Sequence, residues 1–418
     1  EGWVSDEIRV GATVMTETTG VGVDQEMAGV DLRYQRSEGT YAELEYATTR
    51  GPGLTQSTST DGGLTITSTG GVVADQAAAV QLRARVDLQD LGMGRDGFVG
   101  LYYDQKDAGF STLNETISAD QSLIGVEGEI AASARVDLSF GVEQFAQDAG
   151  VERFKADVSL GYQINDQWSV DAGLAMLDQV TPSDASATGK RTDLVLRATY
   201  AHSDDLSVYV FGQTTLDHSG GLDTNNRYGV GVDAQLSDKF AASAEVSDGD
   251  TGTAAAVRLT YAASANNQVY LGYTLDPTRS GAGSTLRDNG TIVAGGRFQH
   301  SDSLSTYTEN TFDMPGNQRS LTQTYGVTYT PTDAWTIAGS MESGRVRDAV
   351  SGDFDRTAFS FGAAYAPSED LSMRARLEYG TEDGAGTAQD RETYGLSLGY
   401  ANQVNDDWRM LMDIEALY

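Results

Sequence analysis

The sequence predicts an all-β chain: one large antiparallel transmembrane β-barrel of about 22–24 strands, covering residues 1–418, with no plug domain. Three observations carry this expectation. Apolar residues recur at every second position in segment after segment, the period of a strand with one apolar and one polar face. The segments are joined alternately by short polar turns and longer loops, in a unit that repeats about every 36 residues. The chain carries 48 Gly and 20 Tyr but six Pro and no Cys, which suits strands and tight turns better than packed helices.

In chain order, Ile8, Val10, Ala12 and Val14 alternate with Arg9, Gly11 and Thr13. Ala28, Val30, Leu32 and Tyr34 oppose Asp31 and Arg33, and Ala42, Leu44 and Tyr46 oppose Glu43 and Glu45. Residues 49–76 read as the longest loop, rich in Gly, Ser and Thr. A long strand follows, with Ala78, Val80, Leu82, Ala84, Val86 and Leu88 on one face and Gln81, Arg83, Arg85 and Asp87 on the other. Segments 97–106 and 304–310 alternate poorly. Ile124 to Ile130, Val136 to Val142 and Phe154 to Tyr162 resume the pattern, and further strands follow up to the last, Trp408–Tyr418. In that last segment Trp408, Met410, Met412, Ile414, Ala416 and Tyr418 share one face. The outward parity is expected to switch from even to odd numbers near Val257 and to return to even by Tyr394.

A turn motif recurs: YQINDQW at Tyr162–Trp168, YAHSDDL at Tyr200–Leu206, YTPTDAW at Tyr329–Trp335, YAPSEDL at Tyr365–Leu371 and YANQVNDDW at Tyr400–Trp408. Each ends a strand on an aromatic residue and opens the next on a large apolar one. Tyr162, Trp168, Tyr200, Tyr329, Trp335, Tyr365, Tyr400, Trp408 and Tyr418 are therefore expected to form aromatic girdles at membrane interfaces. The longer loops, at 178–190, 276–290, 343–356 and 381–391, fall at the opposite rim.

The bulk properties bound the function. No apolar run is long enough for a transmembrane helix, but a barrel hides its hydrophobicity in alternate residues, and a mean hydropathy of −0.35 accommodates that. No export signal opens the chain at Glu1, so such a signal is expected to have been removed already. The net charge of −33 disfavours nucleic acid as a partner. The absence of Cys excludes disulfides and thiolate metal sites.

The alternation, the Y-x-x-x-D-x-W turns and the terminal aromatic Tyr418 resemble a Gram-negative outer-membrane β-barrel over most of residues 7–418. Within that class, LGYANQVNDDWRMLMDIEALY at Leu398–Tyr418 is similar to the large barrels of alphaproteobacterial surface proteins. The resemblance implies a place in the bacterial outer membrane, in contact with its lipid. It also implies recognition of the final strand, through Tyr418, by the barrel-assembly machinery. One departure stands out. The short turn 401–407 precedes the last strand, so Tyr418 is expected at the long-loop rim, and 408–418 need not be the closing strand.

The polar face is expected to line a pore with Arg33, Glu43, Glu45, Arg83, Arg85, Asp87, Glu127, Glu129, Arg135, Asp137, Arg197, Arg258, Arg374 and Arg376. The plainer alternative is a solvated wall whose charges pair across strands. The acidic stretch Ser247–Gly252 lacks the spacing of a Ca²⁺ loop. His202, His218 and His300 belong to no nucleophile–base arrangement, so neither an enzyme nor a cofactor is expected. About 22 strands enclose a bore that known transporters keep plugged. On that ground the expected role is a wide polar pore or scaffold that holds, anchors or sheathes another polypeptide, with a plug or partner protein as occupant. An open porin for small hydrophilic solutes is the alternative, and a soluble β-rich adhesin is a third.

Overall fold

In a computed structural model the described residues are 2–17, 24–51, 57–58, 67–68, 74–112, 115–276, 290–314, 318–348, 352–384, 390–405 and 408–418. They form a 24-stranded antiparallel sheet, with a separate two-stranded ribbon at Ser57–Thr58 and Thr67–Ser68. Among the described residues helix is limited to one 3₁₀ turn, Ala185–Ala187, and no helix is long and apolar enough to cross a membrane. The large antiparallel β-barrel predicted from alternation is thus the fold. Most of the expected loop 49–76 lies outside the described residues, but its ends are strand: Tyr41–Gly51 before it and Ala74–Asp87 after it. Of the other expected loops, 277–289 and parts of 343–356 and 381–391 also lie outside them. The weakly alternating segments are strands Gly97–Lys106 and Leu304–Asp313.

The chain divides into two compact units, the first containing Thr67–Tyr200 and the second Tyr228–Tyr418. In the first unit the hairpin Gly2–Ser5/Ile8–Glu17 opens the sheet, and neighbours pair in register from there. Register turns alternation into faces. Val10, Leu32, Leu44, Leu82, Tyr103 and Ile124 stand side by side across six strands. One residue away, Arg9, Arg33, Glu43, Arg83, Tyr102, Gly125 and Glu143 form the adjacent row on the opposite face. Leu32, Leu44, Ile124 and Leu196 are 45–50% exposed. A water-soluble sheet would cover such a row, whereas lipid is its natural cover.

In the second unit the outward face carries two bands of aromatics. One row, Tyr325, Met341, Phe359, Tyr379 and Tyr394, ends on Tyr418, which exchanges two 2.8 Å backbone hydrogen bonds with Tyr394. The other, Trp335, Tyr365, Met373, Tyr400 and Met412, lies at the short-turn end. Within a strand the bands are six residues apart, as in Phe359 and Tyr365 or Tyr394 and Tyr400. At about 3.4 Å per residue that is roughly 20 Å, close to the ~25 Å apolar belt of a membrane barrel. Tyr418 lies with the long-loop band, as the turn order predicts.

The parity expectation needs one correction. Parity becomes odd at Val257, which pairs with outward Ala244, but it is even again at Ile292 and Phe312 before turning odd at Leu321. It is also odd at Tyr103, between even-numbered Leu82 and Ile124, so the connections produce three odd stretches rather than one.

Candidate functional site: the polar face

The polar face is held by charges that satisfy one another. Glu43 sits between two guanidiniums, with Arg9 Nη2 at 3.2 Å and Arg33 Nη1 at 3.1 Å. Arg33 also donates through Nε to Gln35 and stacks over the Tyr41 ring at 4.2 Å. Arg83 pairs with Asp104 at 3.7 Å, and Gln81 donates to the same carboxylate. The Arg85 guanidinium lies 3.5 Å above the Phe98 ring. In the second unit Glu382 bridges Arg356 and Arg391, Arg376 pairs with Glu378, and Arg374 with Asp413. Arg33 and Arg356 stand directly opposite Glu43 and Glu382, and Arg83 lies diagonal to Asp104. Arg9 and Arg374 reach across one intervening strand, and Arg376 meets Glu378 within its own strand, so the wall needs no outside counter-charge at these positions.

Of the remaining predicted lining residues, Glu45, Glu127, Glu129 and Asp137 lie on this face beside Asp31, Gly100, Phe98 and Gly161. Arg197 stands opposite Asp171, and Arg258 opposite Gly272. Asp87 ends its strand and accepts from the Gln89 backbone, which makes it a turn residue as much as a wall residue. Arg135 is a correction. It occupies the exposed turn between Ser133 and Val136, because its strand ends before the alternation does. Among the predicted girdle residues, Trp168 and Tyr200 have ring centroids 4.9 Å apart, and Trp335 and Tyr365 4.7 Å. The second band, Tyr325, Phe359, Tyr379 and Tyr394, was missed; its spacing of six residues from the first was the available signal.

A feature absent from the sequence reading is a loop packed on the polar face. After Lys106 the chain turns back over the wall. Phe110 and Ile117, 4% and 6% exposed, pack on Ala77 with Ala47 and Ala79 beside them. These alanines share the face of Gln81 and Glu45, so the loop lies on the lumen side of the sheet. The loop is fastened at several points. The Asp107 and Ala78 backbones bond at 2.9 Å, and Asp107 Oδ2 accepts from Ala78 N at 3.0 Å. Lys106 Nζ holds Glu115 at 2.7 Å, and buried Ser111 donates through its backbone to Thr49 Oγ1. Among the described residues this is the largest buried apolar cluster, and it belongs to a loop rather than a core.

Another recurring device is a tyrosine laid across a glycine. Tyr102 faces Gly125, and its hydroxyl donates to Glu143 on the strand beyond at 3.1 Å. A Cβ built on Gly125 would come 2.2 Å from the Tyr102 ring. The same Tyr–Gly–Glu order recurs as Tyr209–Gly231–Glu245 and Tyr270–Gly295–Glu309. At the short-turn rim, Ser37 and Thr40 both donate to Asp90 at 2.5 Å, which holds its carboxyl below the usual carboxylate range. Asp184 is lowered likewise by the Ser186 hydroxyl and backbone. In the acidic stretch, Asp248 accepts from Thr253 at 2.8 Å.

No known family's sequence profile matches the chain, and no curated protein is significantly similar to it in sequence. The fold, by contrast, has solved counterparts. A variant of the ferric enterobactin receptor PfeA from Pseudomonas aeruginosa aligns at 8% identity over 90% of this chain and 75% of that one, with a TM-score of 0.58. The siderophore receptor PirA from the same organism aligns at 10% identity over 99% and 81%, with a TM-score of 0.55. A BenF-like porin from Pseudomonas fluorescens reaches only 0.37, too low to decide anything. At such identities the likeness shows the fold alone. By that fold and its apolar outer belt, the protein is an outer-membrane β-barrel.

Proposed function

We propose that residues 1–418 act as one barrel domain forming a wide, polar-lined pore for hydrophilic solutes across the outer membrane. The observation that carries this reading is the self-paired polar face, with Glu43 between Arg9 and Arg33 and Glu382 between Arg356 and Arg391. A wall built to grip a polypeptide gains by leaving charges for its partner, whereas a water-filled wall is stable when its charges pair along it. The loop at Phe110–Ile117 supports the same reading, because it narrows the polar side from within. With 61 acidic and 28 basic residues, the pore should favour cations weakly. No catalytic role is proposed. Tyr418 is the proposed contact for the assembly machinery, and Leu398–Tyr418 supports a place among alphaproteobacterial surface barrels.

The scaffold reading retains one specific observation. Twenty-four strands exceed the number at which barrels of known transporters are plugged, so a polypeptide occupant would suit the bore. Planar-bilayer recording of the purified chain separates the two. A pore should give uniform, stable, weakly cation-selective steps. Very large ungated currents, or failure to insert stably, would favour the scaffold.

A further inference from the structure

The polar face of the second unit carries a depression of about 700 Å³ to which no role has been assigned. Its floor is made of small side chains, chiefly Ser243, Ala256 and Gly272. A Cβ on Gly272 would meet only two backbone oxygens, at 3.7 and 4.0 Å, so the space above it is open. Tyr209 and Tyr270 flank this floor. Each lies across a glycine of a neighbouring strand, and each hydroxyl is engaged, Tyr209 with Glu245 Oε2 at 2.5 Å and Tyr270 with Glu309. Both rings are therefore fixed before any ligand arrives, which lowers the ordering cost of binding. Arg258 is exposed beside them, its guanidinium carbon 5.7 Å from the Tyr270 ring centre.

We propose that this depression binds a neutral oligosaccharide. Charge decides the class. Asp233, Glu245 and Glu309 would repel an anion, and Arg258 sets a like charge beside any cation that enters the depression. An uncharged ligand rich in hydroxyls meets neither penalty. Its hydroxyls donate to carboxylate oxygens and accept from Arg258, and its C–H faces pack on the tyrosine rings. Length agrees. Glu245 and Glu309 are four strand spacings apart across the sheet, roughly 19 Å at about 4.8 Å each, and four residues out of register along it, about 14 Å at about 3.4 Å each, a span that suits a short chain of sugar rings better than one. The proposal takes from the pore reading only the ligand's route to the wall.

The test is calorimetric titration of maltotriose, cellotriose and xylotriose into the full chain, held in polyoxyethylene micelles free of sugar headgroups. Binding in micelles does not require conduction, so a failed pore reading is a separate result. At least one trisaccharide should bind saturably. Tyr270→Ala should weaken it tenfold or more, and Gly272→Phe should abolish it by filling the floor. Gly272→Phe should leave the far-UV spectrum and heat-modifiable migration unchanged, because a Cβ there meets no side chain within 4 Å and the face is open to water. The proposal is overturned if none of the three binds the wild type, if Gly272→Phe binds as the wild type does, or if spermidine binds and the sugars do not.

Discussion

A single methyl group tests how tightly the inner wall is fitted. Gly125 is small because Tyr102 lies over it and reaches Glu143 on the next strand. Gly125→Ala must push the ring aside and strain or break that hydrogen bond, at a cost of about 1–3 kcal/mol. If the ring is the cause, the cost should largely vanish in a Tyr102→Ala background, with a coupling above about 1 kcal/mol. Denaturant unfolding of the four variants in micelles gives the cycle, and purely additive losses would show that Gly125 serves the backbone instead. Sequence reading could place Tyr102 and Glu143 on strands but could not join them. The link depends on which strands are neighbours and in what register, and alternation within one segment is blind to both. The pairing of Arg9 and Arg33 with Glu43 was legible only as a general expectation of cross-strand pairing.

Among elements, the strands were legible and the inward loop was not. Strands announce themselves because one face must be apolar over its whole length, as in Val80, Leu82, Ala84 and Val86. The loop Asp107–Asp120 has no such period, and its two apolar anchors, Phe110 and Ile117, look like ordinary loop residues until Ala47, Ala77 and Ala79 are placed beneath them. Three alanines at adjacent wall positions were the available clue, since a polar wall has no reason of its own to carry them. Phe110→Ala removes the main anchor and leaves Ile117, Asp107, the Ser111–Thr49 hydrogen bond and the Lys106–Glu115 pair to hold the loop. That pair is partly exposed and contributes at most about 1 kcal/mol. The loop should detach locally while the sheet persists. Protease should cleave within it, and single-channel conductance should rise relative to wild type. Unchanged protection together with unchanged conductance would show that the loop neither depends on Phe110 nor narrows the pore.

At the scale of the whole molecule, the two faces of one sheet meet different solvents, and that difference organises every other feature. Leu82 stands mid-strand between Leu44 and Tyr103 in a row of outward residues. Its neighbour in sequence, Arg83, faces the other way and pairs loosely with Asp104 at 3.7 Å. Leu82→Arg places a charge in the apolar belt, directly between Leu44 and Tyr103, a loss of about 2–4 kcal/mol near the bilayer midplane. Arg83→Leu removes an ion pair whose arginine is 49% exposed, a loss of about 0–1 kcal/mol. The two changes exchange the same residue types one position apart, so composition and β-propensity hardly differ between them. What differs is the medium each side chain enters. Folding into lipid vesicles, followed by heat-modifiable migration and urea unfolding, should show a severe defect for Leu82→Arg and near-wild-type behaviour for Arg83→Leu. Equal tolerance of both would mean that both faces meet water, and the reverse order would mean that the lipid lies on the side of Arg83.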